Sequence, residues 1–451
     1  MTANPFNLRL DEGKLSLRYT KRDIWSHLMR VLILAEDCNP DWPSLPVVGY
    51  KFAKAIADVT DATVVTQIRN QNNIERTGLG RADVIYIDTE AIAAPLYKLA
   101  VFLRGGKDLG WTLQMAMNYP SYLFFEWKVW SLFKDELRRG QFDLVHRITP
   151  MTPTIPSPIA QWSPVPFVLG PLNGNLPWPQ HYGSEKRRER EWLSSFRNAY
   201  RALPYSDTTY KKSDCILAAF EHTIADLPAF AKSKTINFPE VGIDPELFNL
   251  PESKPRGQMT FLFAGRLVPY KMPEVVIRAF AMSPILQNHK LQLIGDGPER
   301  ETLEEIIAEY HLEDCVELVG KISQTQVGEL MKKAHIFAFP SIRELGAGVV
   351  LEAMACGMAC VVVDYGGPAA LIHPEWGIKV PMADFENLVL SFQKSLEKLV
   401  LNPDLVEEFG FAAHQHALQY YSWSAKAQKL LEIYDWVSGP RDKPNFWESV
   451  L

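Results

Sequence analysis

Residues 335–372 read HIFAFPSIRELGAGVVLEAMACGMACVVVDYGGPAALI, and this stretch decides the fold. The apolar run at 336–339 predicts a buried strand that ends at Pro340. An Ala-rich segment at about 348–356 predicts a helix, which Gly357 ends. The β-branched run at 361–363 predicts the next strand. Strand, loop, helix and strand in this order indicate a βαβ unit of a parallel sheet, in which ligands bind beyond the carboxyl ends of the strands.

Two glutamates in this unit are candidate ligand-binding residues. Glu344 lies in the loop and Glu352 just over one turn inside the helix, while small residues at 346–348 leave the first helical amides open to an anion. A carboxylate accepts two hydrogen bonds from a vicinal diol, so Glu352 is suited to a ribose and Glu344 to a sugar. A helix-start glutamate and a solvated loop acid explain the same spacing without a ligand. The spacing alone favours that second interpretation.

The run PS-x-x-E-x7-E-AMA-x-G resembles the donor-site signature of the family 4 glycosyltransferases, which are retaining enzymes of the GT-B fold that use nucleotide-activated sugars. Three further stretches are similar to the family in the same order: FLFAGRLVPYK (261–271), LQLIGDGPERETLE (291–304) and VELVGKI (316–322). The resemblance covers residues 240–375.

The resemblance implies an α/β chain with two Rossmann-like doubly wound domains that face each other across a cleft. We expect an acceptor-side domain at 1–245, a donor-binding domain at 246–421, and a C-terminal helix at 422–451 that returns to the first domain. Trp436 and Trp447 would then pack on the N-terminal half. The regular alternation of strands and helices in the second half favours the same architecture.

Arg266 and Lys271 follow a predicted strand at 261–264. They are suited to bind a diphosphate, because the guanidinium of Arg266 can donate two parallel hydrogen bonds and the ammonium of Lys271 supplies a compact positive charge. A hydrated loop is the alternative. The nucleobase would be held by backbone atoms at 320–322. The donor site that the resemblance implies comprises Gly265, Arg266, Lys271, Gly295, Gly320, Lys321, Ile322, Glu344, Gly346, Ala347, Gly348 and Glu352.

In the N-terminal half, the resemblance implies that His146 faces the cleft after a strand at 142–145 and contacts the transferred sugar. A lone histidine at a strand end is otherwise more often a structural group. His146, Glu344, Arg266 and Lys271 form the predicted catalytic set. The predicted acceptor side comprises Gly49, Asn173 and Trp178, the last two in the turn-rich loop 170–179.

The sequence departs from the family in the donor loop. Gly346 stands where an aromatic residue is usual, and Ala347 stands where a glycine is usual. We therefore expect the loop to follow a slightly different path.

Composition describes a globular chain, since 47% of the 451 residues are hydrophobic and 22% are charged. Neither a secretory signal nor an apolar run of membrane-spanning length is apparent, so we expect a cytoplasmic protein. Its five cysteines predict buried free thiols. The basic run at 185–192 alternates signs, which is typical of a solvated helix rather than a nucleic-acid site.

Residues 111–133 carry eight aromatic side chains, interleaved with lysines. One interpretation is a helix pair with a large buried face. The other is a surface at 95–134 that contacts lipid headgroups or a lipid-linked acceptor. Residues 1–240 hold 29 Lys plus Arg against 25 Asp plus Glu, whereas the remainder holds 18 against 28. This positive half is compatible with peripheral membrane contact.

We therefore predict a retaining glycosyltransferase that moves a sugar from a nucleoside diphosphate sugar to a glycan, lipid-linked or small-molecule hydroxyl, without a cofactor or metal. A sugar-nucleotide epimerase of the GT-B fold is one alternative, although it would need cleft acids or histidines in the N-terminal domain. A non-catalytic protein that binds sugar nucleotides or glycans is the other.

Overall fold

The computed structural model describes residues 28–90, 95, 111–183 and 199–446. Residues 96–110 of the predicted surface at 95–134, the basic run at 185–192 and Trp447 lie outside these residues.

Two sheets, both entirely parallel, form the framework. The strands of the first are β1 (Arg30–Ala35), β2 (Asp61–Gln67), β3 (Asp83–Ile87), β4 (Leu144–Thr149), β5 (Phe167–Leu172), β6 (Cys215–Ala218) and β7 (Thr235–Asn237). The strands of the second are β8 (Thr260–Ala264), β9 (Lys290–Ile294), β10 (Val316–Gly320), β11 (Ile336–Phe339), β12 (Ala359–Val363) and β13 (Gly377–Val380). We refer to the parts built on them as the first and second domains.

Both sheets are doubly wound. Their strand orders are β3-β2-β1-β4-β5-β6-β7 and β10-β9-β8-β11-β12-β13. In each, the chain order reverses beside the first strand, between β1 and β4 and between β8 and β11. These switch points are where open parallel sheets leave a crevice for ligands.

Helices cover the faces of both sheets. In the first domain they are α1 (Leu45–Ala57), α2 (Gln71–Thr77), α3 (Trp111–Arg138), α4 (Ile159–Trp162), α5 (Ser206–Lys212), α6 (Phe220–Asp226) and α7 (Ala229–Lys232). From the second domain to the end of the described chain they are α8 (Pro273–Ala281), α9 (Arg300–Glu309), α10 (Gln324–Lys333), α11 (Gly348–Ala355), α12 (Gly366–Leu371), α13 (Phe385–Val400), α14 (Pro403–Tyr421) and α15 (Trp423–Ser438). A capping box formed by Ser323 and Gln326 begins α10.

Alternate residues of β1 feed two apolar cores. Val31 and Ile33 pack on the face covered by α1 and α15, whereas Leu32 and Leu34 pack on the face covered by α3. One large core surrounds the second sheet. The predicted free thiols are confirmed, because all five cysteines are buried and unpaired.

The last described helix, α15, lies against the first domain. It packs on α1 and contributes Leu430, Ile433 and Tyr434 to the first-domain core, and Trp436 packs against the same core. The chain thus passes between the domains twice, and the two crossings meet in a parallel bridge between Ile243 and Ser422. This joint fixes the position of the cleft.

The prediction of a helix pair in the aromatic region is wrong. Residues Trp111–Arg138 form one continuous helix with Pro120 inside it. Its inner face buries Tyr122, Phe125 and Val129, while Trp127 is 53% exposed. Pro120 lies in the interior of this helix and has no amide to donate to residue 116, yet the helix continues through it.

Candidate active site

An ion pair joins the two loops at the switch point of the second sheet. Lys271 lies in a short 3-10 turn (Pro269–Lys271) after β8, and its Nζ contacts Oε1 of Glu344, which follows β11. The side chains are only 13% and 17% exposed. Lys271 also lies 5.1 Å above the ring of Phe339. The sequence predicted both residues for the donor site, and the structure brings them together.

Arg266 is exposed and directly follows Gly265, whose Cβ position would lie 3.2 Å from Cδ of Lys271. Within the described part of the chain, no hydrogen bond or ion pair engages its side chain. A free guanidinium next to a lysine at the carboxyl end of a parallel strand is suited to bind an anion that enters the cleft.

The glycines of this region serve backbone packing. A side chain at Gly295 would overlap the carbonyl oxygen of Gly265, whose own φ is +157°. The amide of Gly295 in turn donates to the carbonyl of Gly320 at 2.9 Å. The three loops after β8, β9 and β10 are therefore tied together, and they lead into the predicted base-binding residues Lys321 and Ile322.

Ala347 in the donor loop adopts a backbone conformation that is typical of glycine. Ala347 has φ +48° and ψ +45°, the left-handed conformation that glycine adopts most easily, and it caps α11. An alanine thus occupies a left-handed position at which the family usually has glycine, and the different path of the loop stays a prediction. Helix α11 then begins at Gly348.

Glu352 lies on α11, apart from the Lys271–Glu344 pair. Its Oε1 accepts a hydrogen bond from Nε2 of Gln324, at the start of α10, at 3.1 Å. Burial raises the pKa of Glu352 to about 7, opposed by this hydrogen bond and by the charge of Lys51 on α1 across the cleft. Neither Gln324 nor Lys51 was predicted, although Gln324 directly follows the capping serine.

His146 does not face the cleft, and the structure corrects this prediction. Strand β4 continues to Thr149, so His146 is an interior strand residue with no exposed surface. Its Nδ1 lies 2.6 Å from the hydroxyl of Tyr434, and its Nε2 lies 2.7 Å from the carbonyl oxygen of Gly170. Burial lowers the pKa of His146 to about 4. Both ring nitrogens are engaged, and the residue joins α15 to the first sheet.

Gly49 lies inside α1 and not in a glycine-rich turn. A side chain there would overlap the carbonyl oxygen of Asp37, in the loop after β1. The glycine therefore allows α1 to approach this loop closely, which is a structural role at the first-domain side of the cleft.

Asn173 and Trp178 connect the two domains. Nδ2 of Asn173 donates to Oε1 of Glu240 at 2.6 Å. The guanidinium of Arg343 lies 4.8 Å from the ring of Trp178. Since Arg343 precedes Glu344, the loop predicted for the acceptor side packs directly over the donor loop.

Metal-ligand clusters and membrane-spanning helices are both absent from the described residues. Across these ranges, no group of three or more His, Cys, Asp or Glu side chains is arranged to hold a metal ion. None of the helices described combines the length and apolar character required to cross a bilayer.

Comparison with protein families gives a match for the second domain. Residues 249–416 match the family described as glycosyl transferases group 1. This range includes every predicted donor-site residue, and it agrees with the resemblance seen in the sequence.

Curated relatives agree with this match over part of their length. The D-inositol 3-phosphate glycosyltransferase of Saccharomonospora viridis is 29% identical over 191 residues, 40% of this chain and 43% of that protein. A component of the phosphatidylinositol N-acetylglucosaminyltransferase of Arabidopsis thaliana is 23% identical over 238 residues, 52% of this chain and 51% of that protein. The chain spans about half the length of these relatives.

Solved structures match nearly the whole chain. Sucrose-phosphate synthase from Thermosynechococcus elongatus has a TM-score of 0.61 at 18% identity, and the match covers 91% of this chain and 99% of that one. Anabaena HepE in complex with UDP has a TM-score of 0.58 at 17% identity, with 90% and 99% covered. These likenesses confirm the predicted GT-B fold.

Proposed function

The chain carries a glycosyl transferases group 1 domain at residues 249–416 within a GT-B fold, and on that premise we propose that it transfers a sugar from a nucleoside diphosphate sugar to a hydroxyl acceptor, with retention at the anomeric carbon. The observation that carries this proposal is the Lys271–Glu344 pair, with the exposed Arg266 in the same loop as Lys271. Two cations, Arg266 and Lys271, and the carboxylate of Glu344 thereby lie where the diphosphate and the sugar of a donor would be joined.

The donor binds across the second-sheet switch point. Arg266 and Lys271 hold the diphosphate, and Glu352 accepts hydrogen bonds from the ribose through the oxygen that Gln324 leaves available. The solved complexes of HepE with UDP and UDP-glucose support uridine nucleotides as the first donors to test.

Bond cleavage releases a nucleoside diphosphate, whose leaving oxygen gains negative charge. Arg266, Lys271 and the amides at the start of α11 stabilise that charge in place. Glu344 holds a hydroxyl of the transferred sugar. The acceptor hydroxyl attacks on the face from which the diphosphate departs and passes its proton to the departing phosphate oxygen. No side chain serves as a covalent nucleophile. His146 has no part in this step, because its ring is buried and both nitrogens are engaged.

Metal independence is part of the proposal. Two positive side chains at the phosphate position supply the charge stabilisation that a bridging divalent cation provides elsewhere.

The acceptor side includes a surface suited to a membrane interface. On the outer face of α3, the rings of Phe124 and Trp127 stack with centroids 5.7 Å apart, and Lys128 lies 5.0 Å above Phe124. An aromatic pair with a neighbouring cation suits headgroups of anionic lipids or a lipid-linked acceptor. Flotation with phosphatidylserine vesicles at low salt tests this contact, and a protein that stays in the bottom fraction would exclude it.

One incubation tests the activity. The purified chain is mixed with UDP-glucose, UDP-N-acetylglucosamine, GDP-mannose and ADP-glucose, with and without sugar and glycolipid acceptors, and free nucleotide is measured. A transferase releases nucleotide faster when an acceptor is present. An epimerase converts the donor without an acceptor requirement, and a binding protein leaves all donors intact. Either of the last two results contradicts the proposal.

A further inference from the structure

A buried carboxylate from outside the predicted site lies against the donor loop. Glu240, in the segment that leads from β7 to the second domain, is only 5% exposed. Its Oε1 accepts the hydrogen bond from Asn173, whereas its Oε2 is buried and has no hydrogen-bond partner among the described residues. Burial raises the pKa of Glu240. Because an unpartnered buried oxygen is costly and uncommon, this atom is suited to receive a ligand.

The carboxylate occupies the space above Gly346. A Cβ built on Gly346 would overlap Oε1 of Glu240 and would lie 3.1 Å from Cγ1 of Val241. The same Cγ1 would lie 3.5 Å from a Cβ at Gly348. Residues 240 and 241 thus pack against the donor loop, and the contact with Glu240 is at Gly346, two residues after Glu344. Position 346 is also where the sequence lacks the usual aromatic residue, and Glu240 lies where a side chain at that position would begin.

Hydrogen bonds on both sides of this carboxylate hold the surrounding loops in place. The hydroxyl of Thr223 lies 3.5 Å from Oδ1 of Asn173 and accepts from the amide of Gly174 at 3.2 Å. Tyr365, just after β12, donates to the carbonyl of Pro177 at 2.9 Å. The first-domain loop is therefore held over the donor loop, and Glu240 lies between them.

We propose that Glu240 is a donor-sugar-binding residue, whose Oε2 binds a hydroxyl of the transferred sugar, and that residue 346 must be glycine to leave room for this carboxylate. A sugar hydroxyl both donates and accepts, so it satisfies this oxygen in either protonation state. The inference rests on the proposed function, because it assigns the sugar end of the same donor site. It also implies a preference for neutral sugars, since a uronic acid would bring a second carboxylate into a buried site.

The test compares sugar nucleotides with their free nucleotides. The full chain, Glu240→Ala and the exposed control Glu246→Ala are titrated calorimetrically with UDP-glucose, GDP-mannose and ADP-glucose, and with UDP, GDP and ADP. For the donor that the unaltered chain binds, Glu240→Ala should weaken affinity about 10-fold or more and leave affinity for the free nucleotide within about twofold. Glu246→Ala should change neither affinity.

A double-variant comparison tests the contact with Gly346. Gly346→Ala displaces the Glu240 carboxylate. A variant that carries both Gly346→Ala and Glu240→Ala should therefore lose no more donor affinity than the single variant with the larger loss. Additive losses contradict the contact. Equal loss of donor and free nucleotide in Glu240→Ala, or loss of neither, refutes the sugar-binding role alone. An unaltered chain that binds none of the six nucleotides refutes the proposed function, and this inference with it.

Discussion

Removal of each glutamate of the donor site should have a different effect, because the two carboxylates have different partners. One oxygen of Glu352 accepts a hydrogen bond from Gln324, and we propose that the other binds the ribose. The ribose is present in the donor and in the released nucleotide alike. Glu352→Ala should therefore weaken both by about 1.5 to 3 kcal/mol, the range for hydrogen bonds to a charged group. This corresponds to about 10- to 150-fold in the dissociation constant of UDP.

Glu344 should behave in the opposite way toward the nucleotide. It is paired with Lys271, and both side chains are largely buried, so the carboxylate competes with a diphosphate for the same ammonium. Glu344→Ala frees Lys271, and UDP affinity should stay unchanged or rise up to about 10-fold, since an opposite charge is removed from the anion site. Turnover should fall at least about 100-fold, because the contact to the sugar that strengthens during bond cleavage is lost.

Calorimetry with UDP and a nucleotide-release assay give an affinity and a rate for each variant. Glu352→Gln and Glu344→Gln serve as controls that keep the side-chain volume. A Glu344→Ala variant that loses UDP affinity as severely as Glu352→Ala would refute the assignment of sugar and ribose to the two residues.

Individual contacts lead to three further predictions. Tyr434→Phe leaves Nδ1 of His146 without its buried partner, so the free energy of unfolding should fall by about 1 to 3 kcal/mol. UDP affinity should not change. A loss of UDP affinity would indicate that His146 belongs to the donor site. Burial raises the pKa of Glu352 from its ordinary value of 4.5 to about 7, so the carboxylate ionises between pH 6 and 8. After correction for the titration of UDP itself, UDP affinity should rise severalfold over that range in the unaltered chain and stay constant in Glu352→Gln. The contribution of Glu352 to folding stability should decline as the pH rises through 7. Activity should persist in excess EDTA, since Arg266 and Lys271 stabilise the leaving group, and activity lost to EDTA but restored by manganese would contradict that role.

The second domain is predictable from sequence because its signals are local. Every strand there except the edge strand is a short apolar run, each switch-point loop carries its own glycine or charge, and the capping box of α10 lies within four residues. The edge strand Gly377–Val380 carries too few apolar residues to be recognised.

The first domain is harder to predict because its decisive contacts join distant residues. The polar residues His146 and Arg147 conceal the continuation of β4, since sequence patterns favour apolar residues in a buried strand. Arg147 is 1% exposed and donates to the carbonyls of Ile155 and Pro150, each at 2.6 Å. The partner of His146 is Tyr434, 288 positions away. No local pattern connects these two residues.

The position of Glu240 is hidden from sequence for the same reason. It meets Asn173 and Gly346 only once both domains are assembled. The unusual glycine at 346 is visible in the sequence, and its physical reason becomes visible only in the fold.

The stereochemistry of the released or transferred sugar tests the central claim most directly. With a donor that the chain accepts, such as UDP-α-glucose, proton NMR of the first-formed product should show the α configuration, because departure of the diphosphate and attack occur on the same face. A product that first appears as the β anomer, or a donor that stays intact in the presence of every acceptor tested, would contradict retaining transfer at the Lys271–Glu344 site.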